Sequence, residues 1–122
     1  MNGTRPSIQA WLDEIKNGPG SAGIGMLLTH NGVVRGVARD GSPVQGMDLS
    51  YDGDLLDEVI AQVESMPGVV AVRAWVNGGR LAVGDDIMYA LVAGDIREHV
   101  FDALQELVRR IKTEVVAEWE IK

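Results

Sequence analysis

The chain contains no cysteine. Disulfides, thiolate metal centres and a cysteine nucleophile are therefore excluded, and with His30 and His99 as the only imidazoles a multi-histidine metal site is not expected. Aromatic residues are few, at three Trp, two Tyr and one Phe, so aliphatic side chains must build the core. No apolar run approaches the roughly 18 residues that suggest a membrane span, and the N-terminus lacks the basic-then-apolar layout of a signal peptide. The expected location is the cytoplasm, with no membrane contact. Positive charge is also scarce: 11 Lys and Arg face 18 Asp and Glu, for a net charge of −7. Such a surface cannot displace the counterions of a nucleic acid, so no nucleic-acid partner is expected.

Where cations are few, each one matters. Arg35, Arg39, Arg73, Arg80, Arg97, Arg109, Arg110 and Lys112 all lie in the middle and C-terminal parts of the chain. If they converge, they make an anion pocket. The composition is otherwise that of a folded globular protein, 46% hydrophobic and 24% charged over 122 residues, long enough to bury a core without staples and read as one domain spanning 1–122.

Ile8, Trp11, Leu12 and Ile15 repeat at helical spacing after Ser7, a good N-cap, and stop at Asn17-Gly18-Pro19-Gly20. The runs 24–29 and 33–38 favour strand, and the intervening His30-Asn31-Gly32 predicts a β-hairpin, because Asn-Gly between such runs is a strong hairpin signal. Met47, Leu49 and Tyr51 alternate as on a half-buried strand. Leu55, Leu56, Val59, Ile60, Val63 and Met66 form a helical stripe that ends at Pro67-Gly68. Residues 69–76 predict a strand, 81–83 and 87–93 two more. The longest helix is expected from Asp95, whose carboxylate would cap it with Glu98 closing a capping box, and a terminal strand follows in which Val115, Ala117, Trp119 and Ile121 share a face. Strands before, between and after about three helices indicate an α+β fold with mixed, largely antiparallel strands.

Two apparent motifs dissolve on inspection. Gly18-Pro19-Gly20-Ser21-Ala22-Gly23 has dinucleotide-fingerprint spacing but does not follow a strand or open a helix, so it reads as a linker. Asp48-x-Ser50-x-Asp52-Gly53 begins like a calcium loop, yet Val59 stands where a bidentate Glu belongs. Turn and capping chemistry explains it. No metal site is expected. Arg97 is different: it lies in the first turn of its helix, where the dipole disfavours a cation by roughly 0.3 to 1 kcal/mol. It either pairs with neighbouring acids or solvent, or binds an anion beside free backbone N–H groups.

From Gly79 onward the chain reads Gly79-Arg80-Leu81-Ala82-Val83-Gly84-Asp85, then a strand, then Arg97 opening a helix, Phe101 one turn later and Lys112 closing it. Upstream lies Gly32-Val33-Val34-Arg35. This ordered set resembles the large, catalytic subunit of molybdopterin synthase, over most of the chain beyond residue 23. The resemblance implies a hammerhead-like α+β fold. It also implies a homodimer that carries two small, ubiquitin-like sulfur-carrier subunits ending in Gly-Gly, a heterotetramer in all. The implied reaction moves sulfur from the small subunit's C-terminal thiocarboxylate to cyclic pyranopterin monophosphate in molybdenum cofactor biosynthesis, with no cofactor of its own. By the same resemblance Arg35 and Arg97 hold the phosphorylated pterin, and Lys112 with Arg97 serves the transfer step. Arg39, at even spacing from Arg35, would share its face on a regular strand and converge with it as a further substrate contact, and Lys122 is a further candidate contact. Three positions depart from the family pattern: Ile96 replaces the helix-opening His, Trp119 is followed by Glu120 where a second Lys stands, leaving Lys122 nearby, and Val76-Asn77 replaces a His-Arg pair. The other reading these departures leave open is a catalytically degenerate relative that acts as a non-enzymatic dimeric binding protein.

Overall fold

The computed structural model describes residues 4–122. Helix α1, Ile8–Lys16, starts as expected at Ser7, whose Oγ accepts the Ala10 N–H at 3.1 Å. It buries Ile15 and packs Trp11 and Leu12 against Leu91 and Ala93 on the outer face of the larger sheet. That sheet has strand order β1-β5-β3, formed by Met26–Val33, Asp86–Gly94 and Val69–Val76. A smaller sheet has the order β4-β2-β6, from Gly79–Ala82, Gly46–Tyr51 and Val116–Ile121. All four pairings are antiparallel, and with three α-helices the fold is the expected α+β class.

The hairpin at His30-Asn31-Gly32 does not form. Strand β1 runs straight through those residues, paired with β5 from Met26 opposite Gly94 to Val33 opposite Asp86. Two features favour the strand over the turn. Asn31 Nδ2 donates across the ladder to Asp86 Oδ1 at 3.0 Å and to the Met88 carbonyl at 3.4 Å. Gly32 allows close approach, since a Cβ there would lie 3.3 Å from Met88 Cγ. Residues 34–38 consequently form a loop rather than a second hairpin strand, and Arg35 belongs to that loop.

Asp52 caps α2 (Gly53–Glu64) by accepting the Leu55 N–H at 3.1 Å, and Asp48 binds Arg80 through two bonds of 2.9 and 3.0 Å. The calcium-like run thus resolves into a cap and an ion pair. Helices α2 and α3 (Arg97–Arg110) cover the inner face of the larger sheet around Val59, Val72, Val92, Val100, Leu107 and Ile111, none more than 1% exposed.

The expected capping box of α3 is also absent. Ile96 is the N-cap and offers no side-chain bond, while Asp95 Oδ1 accepts the Ile96 N–H at 2.6 Å and meets His99 Nδ1 at 2.7 Å. The Asp95 N–H is still tied to the Gly68 carbonyl at 3.0 Å, so this residue is held to the end of the sheet one position too early to cap. Gly68, at φ +77°, permits this packing, because any Cβ there would collide with His99 and Asp95. At its other end α3 opens into a π turn, Ile111–Val115, which buries Ile111 and Val115 and leaves Lys112 exposed before β6 begins. Periodicity gave no sign of that turn.

Candidate functional site

Three of the sequence-nominated cations meet. Arg35 and Arg39 from the 34–45 loop and Lys112 from the π turn line a cavity of about 220 Å³, walled by Val33, Val37, Met47 and Ile87 and flanked by Glu118 and Glu120 of β6. The local sequence explains the loop. Each arginine follows a buried anchor, Val34 at 2% exposure and Ala38 at 6%, and the backbone is tied by Val34 N–H to Asp85 O (2.9 Å), Ala38 N–H to Ser42 O (2.8 Å) and Val44 N–H to Gly36 O (3.0 Å). Arg35 and Arg39 therefore converge through a bonded loop and not, as alternation suggested, through one strand face. Both are exposed, and neither makes a hydrogen bond or ion pair with the described residues.

Lys112 Nζ lies 3.7 Å from Glu118 Oε1. Lys122 stands next door: its Nζ donates to Ser42 Oγ at 2.9 Å and pairs with Glu120 at 3.6 Å, in a cleft of about 710 Å³ that shares Arg39, Met47, Glu118 and Glu120 with the first cavity. Trp119, 60% exposed, lines the same cleft. Hydrogen bonds from Ser42 hold the Asp40 carboxyl below its usual range, and the Lys122 ammonium adds to the effect.

Arg97 is not among them. It begins the 14-residue α3 while Lys112 lies just past its end, a separation of about 20 Å at 1.5 Å per residue. Arg97 is exposed and unpaired among the described residues, and its unfavourable place in the first helical turn is confirmed. At the positions that depart from the family pattern, Ile96 is 49% exposed, Val76 is buried at 1%, and Asn77 Nδ2 donates to the Asp86 carbonyl at 2.9 Å.

One residue escaped the sequence reading. His30, assigned there to a turn, sits on the inner face of β1 opposite Ala90. Its ring lines a second cavity, of about 530 Å³, with Leu28, Phe101, Leu104 and Val108. Burial, and secondly the Lys112 ammonium, push its pKa below the ordinary 6.5. A continuous strand over 26–33 would have revealed its direction by simple alternation; the Asn-Gly pair concealed it. Among the described residues no group of three His, Asp or Glu is placed to hold a metal ion, and no helix is long and apolar enough to cross a membrane.

Comparison with known proteins agrees with this architecture. An uncharacterized protein of Methanocaldococcus jannaschii is 28% identical over 92 residues, 72% of this chain and 77% of that one. The molybdopterin biosynthesis MoaE protein from Burkholderia ambifaria superposes with a TM-score of 0.71 at 20% identity, over 96% of this chain and 79% of that one. Its counterpart from Burkholderia multivorans gives 0.73 at 18% identity, over 98% and 82%. A complex of subunits 1 and 2 of the molybdopterin-converting factor from Helicobacter pylori gives 0.69 at 15% identity, over 93% and 74%. These structures share the fold, and the family model for MoaE protein matches residues 4–114; the chain belongs to the MoaE family, as a divergent member.

Proposed function

We propose that this chain is the large subunit of a molybdopterin synthase, moving sulfur from the C-terminal thiocarboxylate of a small Gly-Gly-ended partner to cyclic pyranopterin monophosphate. The observation that carries the reading is the cavity in which Arg35, Arg39 and Lys112 meet, with two unpaired guanidiniums in a chain of net charge −7. Unpaired cations around an apolar-walled hollow suit a phosphorylated ring: the guanidiniums bind the phosphate in forked hydrogen bonds, and the valine, methionine and isoleucine walls take the ring. Lys112 neutralises the charge that develops as sulfur leaves the thiocarboxylate. The complex of two converting-factor subunits from Helicobacter pylori supports a small-subunit partner.

Arg97 joins this site only from a second copy of the chain. A two-fold axis near the middle of α3 would set the helices antiparallel and carry the N-terminal end of one to the Lys112 end of the other, in the homodimer with two partners that the family resemblance implies. Lys122 and Arg39 guard the neighbouring cleft as further substrate contacts.

Reconstitution tests the reading. Given thiocarboxylated partner and precursor, the wild-type chain forms the dithiolene product, while Lys112→Ala binds the partner normally and turns over about 100-fold to 1000-fold more slowly. A wild-type chain that forms no product refutes it and leaves the catalytically degenerate, dimeric binding protein. Two observations favour that second reading: Glu118 engages Lys112, and Ile96 supplies no polar group at the α3 terminus.

A further inference from the structure

His30 stands in the wall between two hollows. On one side its ring lines the apolar groove with Leu28, Phe101 and Leu104. On the other, Gly32 is the spacer: a Cβ there would lie 3.6 Å from His30 Nε2 and 3.6 Å from the Cβ of Ile87, which walls the Arg35–Lys112 cavity. Nε2 is buried and has no hydrogen-bond partner among the described residues. A buried polar atom left unpaired is costly, and in a native structure it calls for an explanation.

The Lys112 ammonium acts on the ring from the π turn, with Glu118 of β6 3.7 Å from it; Arg109 of α3 lines the groove with the ring but is bound by Glu106, and Arg35, without an ion-pair partner among the described residues, lies across the Ile87 wall. The carboxylate of β5, Asp86, is engaged on the opposite face of the sheet by Asn31, Tyr89 and Arg5. We propose that His30 makes anion binding in the Arg35–Lys112 cavity proton-linked: an anion held by the two cations enters together with a proton on the His30 imidazole. With the cavity empty, burial and secondly the Lys112 ammonium disfavour the charged ring. An anion bound beside Lys112 cancels its field at the ring, and the proton is then accepted. By reciprocity, the proton strengthens the hold on the anion, so affinity rises as pH falls. The inference rests on the reading that this cavity takes an anion.

Only two histidines are present, so imidazole NMR resolves the question on the intact chain. The probe is inorganic sulfate, whose charge is constant over the range, against chloride at equal ionic strength. Adding sulfate should move the side-chain signals of Arg35 and Lys112 and raise the His30 midpoint by roughly 0.5 to 1.5 pH units. Sulfate affinity should rise about threefold to tenfold between pH 8 and pH 6, and His30→Gln should remove that rise. Lys112→Gln should lift the His30 midpoint without sulfate and abolish the response to it. If sulfate perturbs Arg35 and Lys112 but leaves the His30 midpoint unmoved, the proton link is overturned and the cavity keeps its proposed role. If sulfate perturbs neither cation, the anion reading itself fails and this inference with it.

Discussion

Ile111 anchors the turn that presents Lys112, and truncating it probes the fold and the site together. The side chain is fully buried at the start of the π turn, and Val115 at the other end is its only buried companion there. Ile111→Ala removes three carbons, about 2.4 kcal/mol at roughly 0.8 kcal/mol per buried methylene, and the unfilled hollow raises the expected cost to about 3 to 4 kcal/mol. Ile111→Val removes one carbon and should cost about 1 kcal/mol. Against a typical domain stability of about 5 to 15 kcal/mol, both variants remain mostly folded. Urea unfolding followed by circular dichroism should therefore show two graded shifts of midpoint with an unchanged slope. With Lys112 beside the loosened anchor, turnover in the reconstituted assay should fall further than the folded fraction does. The reasoning is refuted if Ala costs less than about 1 kcal/mol at constant slope, or if Val and Ala cost the same.

Removing the α2 cap by Asp52→Ala should cost about 0.5 to 2 kcal/mol in the same assay, whereas Glu98→Ala, at a capping box that does not form, should cost almost nothing. Calorimetry of Arg35→Ala and of Arg97→Ala should show phosphorylated-pterin binding weakened by about 1.5 to 3 kcal/mol each; unchanged affinity in both would remove them from the site. If Arg97 acts across a two-fold axis, mixing Arg97→Ala and Lys112→Ala chains should restore about a quarter of wild-type activity, because half the dimers then carry one intact site; no recovery contradicts the composite site. Stability should fall with acid in two stages. The folded pKa of His30 lies below its unfolded 6.5, so the unfolded chain takes up the proton first and stability declines as pH drops below about 6.5. Asp48, Asp86 and Asp95, all held below 3.8 chiefly by hydrogen bonds from Arg80, Tyr89 and His99, lose their contribution only below about pH 4. Urea midpoints measured from pH 8 to pH 3 check both stages, and His30→Gln should erase the first.

The elements most legible in the sequence were those whose signals are local and agree with one another. Ser7 before the stripe from Ile8 to Ile15, Asp52 before that of α2, and the uninterrupted run of β3 all led to the observed elements. The hairpin failed because Asn31-Gly32 is a local turn signal, and the opposing preference comes from β5, more than fifty residues away, whose nine-residue length offers β1 a continuous ladder. The α3 capping box failed for a related reason: a hydrogen bond from Asp95 to Gly68 outweighs its tendency to cap. For the site, residue type was informative and placement was not. The scarcity of cations nominated eight residues, Arg73, Arg80, Arg109 and Arg110 among them, and of the four that the family resemblance and local spacing then favoured, Arg35, Arg39 and Lys112 meet, whereas a single chain places Arg97 at the opposite end of α3. No spacing rule distinguishes one end of a helix from a second copy of the other.

The π turn at Ile111–Val115 has a consequence for how the chain can change length. A π turn holds one residue more than the α turn it replaces, and strand side chains point alternately to opposite faces. In the observed phase Glu120 lies opposite Met47 and Glu118 opposite Leu49, at the mouth of the cation cavity, while Trp119 lies opposite Asp48 on the other face. Deleting one residue from the turn, with pairing otherwise kept, would exchange the two faces of β6, swinging the indole to the Met47 side and carrying both carboxylates, with Lys122 beyond them, away from Lys112. Insertions and deletions at this joint therefore obey a parity rule: pairs of residues preserve the charge pattern around the cavity, and a single residue inverts it.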